Sequence, residues 1–221
     1  MRLTLPIVAG LAAPLLYAAT VVVFGNLTPG YSHVADAISE LNLPDAPSRR
    51  AVDGAFVLYN LLLILFALSL RRAFVERGAR VSPLASLLLF LTGLAGLAMT
   101  TLFPMDPIGS EATFGGQMHL ILAGALSVGT ILSVYFFARS LRRDGEWRGL
   151  SGYSFFTLFV ILVSGAFAAF AAWRHAAVVG LWERVTIGAF LLWIWILALT
   201  LALTRPLENE EEAFEDEDAV D

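Results

Sequence analysis

Three side chains that could bind a metal ion follow one another closely early in the chain. His33, Asp36 and Glu40 are spaced at i, i+3 and i+7, which places nitrogen and carboxylate donors on one face of a helix. Donors of these types hold divalent cations. The solvated face of an amphipathic helix produces the same pattern. The segment therefore predicts either a metal site or a polar helix face.

Asp106 and His119 form a second candidate pair, at the two ends of a short connection. Asp106 follows one apolar run, and His119 lies about one turn inside the next. A carboxylate beside an imidazole can act as an acid/base pair or fix the tautomer of a metal-binding ring. The alternative is an aspartate that caps a helix and a histidine that hydrogen-bonds to a neighbouring helix. The sequence leaves both interpretations open.

The candidate metal ligands are His33, Asp36 and His119, and we assign no definite metal site to them. If they meet, one functional hypothesis is a metal-dependent membrane hydrolase or transferase that activates water. A metal-free version would use Ser39 as a nucleophile activated by His119. The chain contains no cysteine, which excludes thiol catalysis, thiolate zinc sites and disulfides.

Glu183 and Arg184 stand next to each other where the last apolar run begins. Charges inside a membrane span are costly unless they are paired, so both side chains should face the protein interior. They could form a structural clamp or anchor a ligand. In the second case, the Arg184 guanidinium would bind a phosphate or carboxylate headgroup through two parallel hydrogen bonds.

The elements that position these residues are transmembrane helices. With 58% hydrophobic and 15% charged residues, the chain has too little polar surface for a soluble globule of its size. Only helices satisfy their backbone groups segment by segment in lipid. We predict an all-α, six-helix transmembrane bundle at 1–204 and a disordered acidic cytoplasmic tail at 205–221. The predicted spans are 3–25, 51–70, 82–103, 116–138, 150–173 and 181–204.

The distribution of arginine predicts how the bundle is oriented. Residues 71–80 and 139–148 carry four arginines each, and basic loops stay in the cytoplasm. We therefore expect a multi-pass protein of the cell membrane with both termini cytoplasmic. The first outer connection, 26–50, is long enough to hold structure of its own. Capping by Ser32 and the spacing of its apolar residues predict a short interfacial helix there.

The middle third of each predicted span holds no Asp, Glu, Lys, Arg or His, which counts against a proton-coupled carrier. A small-solute carrier remains a hypothesis, and Asn60 is the mid-membrane polar residue that most needs a specific partner. Small residues at Gly93, Gly96, Gly124 and Gly129, and in the alanine-rich segment 164–172, predict close contacts between helices.

Several short motifs, taken in order, resemble a known family. They are Ile38-Ser39-Glu40-Leu41-Asn42 followed by Pro44, Phe103-Pro104-Met105-Asp106, His119 early in the fourth span, and Leu181-Trp182-Glu183-Arg184. Over about residues 5 to 204, the chain resembles the prokaryotic membrane family catalogued as domain of unknown function 998. Asn42 departs from the glycine expected in that loop. The resemblance implies a six-span fold and no established reaction.

A looser similarity links the chain to eukaryotic six-span proteins, namely the damage-regulated autophagy modulators and a factor in GPI-anchor remodelling. They also have a serine in the first outer loop, a histidine early in the fourth span and a glutamate at the sixth. This resemblance implies an outer-leaflet pocket that handles lipid.

Together these observations predict an integral membrane protein that binds a lipid or small amphiphile in a polar outer-leaflet pocket. We favour a binding protein over an enzyme and expect no cofactor. Membrane lipid is the expected partner, a membrane protein is a further candidate, and nucleic acid is not expected. The predicted pocket residues are His33, Asp36, Ser39, Glu40, Asp106, His119, Glu183 and Arg184.

Overall fold

The computed structural model describes residues 3–107 and 109–207, and these residues fold into helices without strands. Six α-helices are long and apolar enough to cross a membrane, which confirms the predicted all-helical membrane bundle. They are α1 (Leu5–Leu27), α2 (Arg49–Val75), α3 (Pro83–Leu102), α4 (Phe114–Leu141), α5 (Arg148–Trp173) and α6 (Val179–Leu203). A short 3-10 helix at Ile38–Asn42, here called the loop helix, lies between α1 and α2.

The starts of two helices follow directly from their sequences. The Ser82 hydroxyl accepts a hydrogen bond of 3.3 Å from the Leu84 N–H, and Pro83 occupies the first turn of α3. The Thr113 hydroxyl accepts one of 3.1 Å from the Gly116 N–H at the start of α4. Such caps satisfy N–H groups that have no partner within the helix. Both spans therefore begin at a defined residue.

The six helices close into a ring. Each helix packs against its neighbours in sequence, and α1 also packs against α6. We call the end that carries the loop helix the histidine end, because His33, His119 and His175 lie at or near it. The opposite end, which carries 71–80 and 139–148, is the arginine end.

The half of the ring nearer the arginine end is filled by aromatic side chains, here called the aromatic plug: Phe66, Phe74, Phe137, Trp147 and Trp193. The ring of Phe137 lies 5.3 Å from that of Phe74 and 5.5 Å from that of Trp193, in edge-to-face arrangements. The Trp193 indole N–H donates to the Ser154 hydroxyl at 2.9 Å. This half of the bundle therefore has a solid core.

Glycines let the helices approach one another, as the sequence predicts, except at Gly124, where an added methyl group would have no neighbour within 4 Å. A methyl group added at Gly10 of α1 would lie 2.5 Å from the Phe66 ring. Gly96 packs directly against the Asn60 amide, and a methyl group at Gly129 would lie 2.6 Å from the Thr92 hydroxyl. Close backbone approach of this kind is how helices associate without a hydrophobic driving force.

The first connection is ordered differently from the prediction. The Ser32 hydroxyl accepts from the N–H groups of Val34 and Ala35, but the Asp36 carboxylate turns back to accept from the Ser32 N–H at 2.6 Å. Such side-chain bonds to the backbone compete with helix formation. The helix therefore begins only at Ile38, and the prediction that it starts after Ser32 is wrong.

The loop helix packs onto the bundle and does not stand free in solvent. Ile38 and Leu41 are buried in a cluster with Val52 and Phe56 of α2. The Leu181 N–H donates to the Val34 carbonyl at 2.9 Å, which ties the connection to the start of α6. At the opposite end, the Leu207 N–H donates to the Glu76 carbonyl at 2.8 Å. The rest of the predicted acidic tail, 208–221, lies outside the described residues.

Candidate functional site

A cavity of about 550 Å³ lies inside the ring, in the half nearer the histidine end. Helix α1, the loop helix and the other five helices all contribute to its wall. Ligand pockets in proteins typically enclose about 300–1,000 Å³, so this space is large enough for a small molecule or an alkyl chain. Most of its wall is apolar and includes Phe56, Leu63, Met99, Leu126 and Ile187.

Polar groups line the cavity at two levels. The level nearer the histidine end includes Ser39, Asn42, Asp53, Thr100, His119 and Glu183. The deeper level includes Asn60, Thr92, Ser127 and Thr130, and the hydroxyls of Tyr17, Tyr59 and Thr186 also line the cavity. At 1.5 Å of rise per residue, the two levels are roughly 10–12 Å apart along α2 and α4. Apolar side chains separate them, so the cavity is amphipathic along its length.

His119 is buried, and its tautomer follows from its one strong contact. Its Nδ1 lies 2.9 Å from the carbonyl oxygen of Phe103. A carbonyl only accepts, so Nδ1 carries the proton and donates it. In the neutral ring, Nε2 is then an acceptor. Because His119 lines the cavity, this acceptor is available to a bound molecule.

Asp106 caps the connection into α4. Its carboxylate accepts from the Thr113 hydroxyl at 2.6 Å and from the Thr113 N–H at 2.8 Å. These bonds, the hydroxyl first, lower the pKa of Asp106 below its usual range. Among the described contacts, Asp106 and His119 share no hydrogen bond. Of the two interpretations that the sequence left open, an acid/base pair or a capping aspartate, this geometry matches the capping aspartate.

Glu183 holds the loop helix and also faces the cavity. Its Oε2 accepts from the Ile38 N–H at 2.8 Å, and the side chain contributes to the cavity wall. Within the described parts of the chain, no arginine or histidine lies within salt-bridge distance of this carboxylate.

Arg184 points away from the cavity and clamps the first connection. Its Nη1 donates to the carbonyls of Asp36 and Gly180 at 2.9 Å each, and its Nη2 donates to the Tyr31 hydroxyl at 2.5 Å. The Tyr31 hydroxyl in turn donates to the Ala37 carbonyl at 2.9 Å. Burial raises the pKa of Tyr31 to about 12 despite the nearby guanidinium. These contacts make Arg184 part of a structural clamp.

The remaining predicted residues of the first connection have structural contacts. The His33 ring packs directly against Gly25 of α1. The Glu40 carboxylate accepts from the Ala37 N–H at 2.9 Å, and burial raises the pKa of Glu40. Over 3–107 and 109–207, no three His, Asp or Glu side chains are placed to hold a metal ion. The candidate ligands His33, Asp36 and His119 are therefore not brought together.

Four residues singled out from the sequence line the cavity: Ser39, Asn60, His119 and Glu183. Five others support the connections around it: His33, Asp36, Glu40, Asp106 and Arg184. Among the lining residues outside the predicted pocket set are Asn42 and Asp53, which bond to each other. The Asn42 amide donates to Asp53 at 2.6 Å, and Arg49 forms a 3.4 Å salt bridge with the same carboxylate. The cost of a charge at a span start, which draws attention to Glu183, would also have identified Asp53.

Exposed residues of α4 and α5 line one side of the cavity. Near the arginine end these helices are joined, because the Ser151 hydroxyl donates to the Ala138 carbonyl at 2.7 Å. Nearer the histidine end, Ser127 of α4 and Ala166 and Ala169 of α5 line the cavity and are also exposed. Ala171 of the same alanine-rich segment is buried. The small residues of α5 therefore serve close helix packing at some positions and line the cavity at others.

Comparison with known proteins places the chain in a family. A family model described as "Protein of unknown function (DUF998)" matches residues 11–201. The chain belongs to the DUF998 family. The match runs from α1 to α6, so in this DUF998 member it includes Ser39, Asn60, His119 and Glu183. No curated protein and no solved structure matches the chain. The wider resemblance to eukaryotic six-span proteins stays a prediction.

Proposed function

We propose that this DUF998 member binds a membrane lipid or small amphiphile in the cavity, with its headgroup at the polar level nearer the histidine end. The observation that carries the proposal is the cavity itself, with a polar level nearer the histidine end, an apolar belt below it, and exposed lining residues on α4 and α5. An amphiphile can enter such a space from the bilayer without bringing its chain into water. The apolar belt below the headgroup would then receive the alkyl chain.

The other half of the bundle supports binding over transport. A carrier for small solutes needs a polar path through the membrane. Below the cavity, the aromatic plug fills the ring, and Phe66, Phe137 and Trp193 are fully buried there. This arrangement favours a cavity that is closed at its inner end.

We further propose that the histidine end faces the outside of the cell membrane and that both termini are cytoplasmic. Seven of the eight arginines of 71–80 and 139–148 are exposed at the opposite end, as the retention of basic loops in the cytoplasm predicts. Because the chain has no cysteine, single-cysteine variants can test this. An impermeant maleimide should label Asp45→Cys in intact cells and Arg143→Cys only after permeabilisation. The reverse pattern would overturn this orientation.

Native mass spectrometry of the purified protein tests the binding proposal. We expect the wild type to retain a lipid or other amphiphile. Gly165→Phe should lose it, because Gly165 lines the cavity and a side chain there has room to enter it. The matched control is Gly152→Phe on the same helix, where the added side chain meets open space outside the bundle.

The control should retain the bound molecule at the wild-type level. If the wild type carries no amphiphile, or if both phenylalanine variants retain it equally, the proposal fails.

A further inference from the structure

The polar groups of the cavity are mostly hydrogen-bond acceptors, and this sets the chemistry of the headgroup. The Thr92 hydroxyl donates to the Leu88 carbonyl at 2.9 Å, Thr100 to Gly96 at 2.9 Å, and Ser127 to Ala123 at 3.0 Å. Each proton is used within its own helix, so each hydroxyl offers only lone pairs to a ligand.

The amide and the imidazole also offer acceptors. One Asn60 side-chain N–H donates to the Phe56 carbonyl at 2.8 Å, and its second N–H and its carbonyl oxygen remain. His119 donates through Nδ1 to Phe103, which leaves Nε2 as an acceptor in the neutral ring. The hydroxyls of Tyr17, Tyr59, Ser39 and Thr130 on the wall can donate or accept, and Thr186 donates to the Trp182 carbonyl. With the two carboxylates included, acceptors outnumber the donors that remain free.

The negative charges of the two cavity carboxylates are balanced differently. Asp53 accepts a hydrogen bond from the Asn42 amide and forms a salt bridge with the Arg49 guanidinium. Glu183 receives only the Ile38 N–H among the described residues, on Oε2. Arg184, its neighbour in sequence, donates to Asp36, Gly180 and Tyr31 instead. No arginine contributes to the cavity wall formed by the described residues.

We infer that the headgroup bound in this cavity is a cationic donor, an aliphatic ammonium group, and that Glu183 is its counter-charge. The inference rests on the proposed amphiphile binding and names the ligand class. A partly buried carboxylate that forms no ion pair is costly, and a ligand ammonium would reduce this cost through a charge-assisted hydrogen bond. A phosphate or carboxylate headgroup would meet acceptors and a like charge. The expectation that Arg184 anchors an anionic headgroup is thereby replaced.

Three probes of equal chain length test the inference: dodecylamine, dodecanol and dodecyl phosphate. Their binding to the full-length protein in a neutral maltoside detergent is measured at pH 7 by calorimetry. Gly165→Phe, which fills the cavity, defines the background for each probe. We expect dodecylamine to bind about tenfold more tightly than either other probe, because it alone can form a charge-assisted hydrogen bond with Glu183.

Glu183→Gln should lower the affinity for dodecylamine about tenfold and leave the affinity for dodecanol unchanged. Glutamine keeps an oxygen that can accept from the Ile38 N–H, so the loop helix should stay docked. The matched control is Glu40→Gln, because Glu40 also accepts a backbone N–H but does not line the cavity. This control should not change any of the three affinities.

The outcomes separate the two proposals. If dodecanol or dodecyl phosphate binds above background and at least as tightly as dodecylamine, amphiphile binding stands and the ammonium assignment is overturned. The ammonium assignment is also overturned if Glu183→Gln binds dodecylamine as tightly as the wild type does. If none of the three probes binds above the Gly165→Phe background, both proposals fail.

Discussion

The two halves of the bundle are built from the same six helices, yet one is solid and the other hollow. A ring of helices encloses a space on its axis, and this space is filled only where large side chains project into it. Near the arginine end, Phe66, Phe137 and Trp193 do so. Nearer the histidine end, α5 presents Gly165, Ala166 and Ala169 to the interior, and a cavity of about 550 Å³ remains.

Bonds from hydroxyls to a neighbouring helix backbone occur in the solid half. There the Ser133 hydroxyl donates to the Ala85 carbonyl at 2.8 Å, and Ser151 donates to Ala138. Other hydroxyls of that half, such as Ser140 and Thr200, donate within their own helices. In the hollow half Thr92, Thr100 and Ser127 do the same, and there the lone pairs of these hydroxyls face a cavity.

Loss of a large side chain should be most damaging in the solid half. Trp193→Ala removes the fully buried ring that contacts Phe137 and bonds to Ser154. We expect the free energy of unfolding to fall by about 3–5 kcal/mol, as for other buried aromatic truncations. Titration with sodium dodecyl sulfate in mixed micelles measures it.

The matched control is Trp173→Ala, because the Trp173 side chain is 71% exposed. Its unfolding free energy should change by less than about 0.5 kcal/mol. Equal losses in the two tryptophan variants would contradict the solid-core description.

Adding a methyl group should have opposite effects in the two halves. In Gly10→Ala the new methyl would lie 2.5 Å from the Phe66 ring and 2.8 Å from the Ala198 methyl, and overpacking of this kind costs about 1–3 kcal/mol. In Gly165→Ala the nearest atom to the new methyl group is 3.9 Å away. The higher helix propensity of alanine should therefore stabilise the folded protein by up to about 1 kcal/mol. The same unfolding titration compares them, and a destabilised Gly165→Ala would argue against free space there.

Loosening the Arg184 clamp should affect the mouth of the cavity and leave the plug intact. Arg184→Gln removes most of the bonds to Asp36, Gly180 and Tyr31, with an expected cost of about 1–3 kcal/mol. Hydrogen exchange should therefore become faster in 31–42 and stay unchanged in the second half of α6. The control is the exposed Arg174→Gln, which should exchange like the wild type. Uniformly faster exchange throughout the bundle would show that the clamp is not local.

The smallest expected effect concerns Asp106 and pH. The bonds from Thr113 hold the pKa of Asp106 below its usual range, so their stabilisation is present above about pH 4. It is lost as the pH falls through the lowered value. The carbon resonance of the Asp106 carboxyl should titrate below the usual aspartate pKa in the wild type. In Thr113→Val, which lacks the donor hydroxyl, it should move back toward that value; identical titrations would contradict the capping role.

Much of the architecture could be predicted because it depends on local composition. A run of apolar residues must be helical in lipid wherever it lies in the bundle, so the six spans are legible in the sequence, although α2 extends beyond 51–70 to Arg49–Val75. The first connection was harder to predict. Its apolar spacing is helical, but the bond from Ser32 N–H to Asp36 and the docking on α6 override this local preference.

The candidate site could be predicted in part. His119, Glu183 and Asn60 belong to the cavity, because polar residues at span ends and span centres must face inward. Ser39 lines it because the loop helix packs onto the bundle. The same rule cannot tell which inward-facing residue reaches a cavity and which is bonded to a neighbouring loop. It therefore groups Asp36 and Arg184 with the pocket, although each is bonded to the first connection.

The sequence by itself determined the six spans, the family and the set of polar residues that avoid lipid, because each follows from residue type and order along one segment. The tertiary structure decided where the ring is filled, where a cavity remains, and which polar groups keep free lone pairs. These properties depend on contacts between side chains of non-neighbouring segments. Examples are the hydrogen bonds from Trp193 to Ser154 and from Arg184 to the Asp36 carbonyl. Composition and spacing carry no information on such contacts, because the contacts depend on how the helices are rotated and packed against one another.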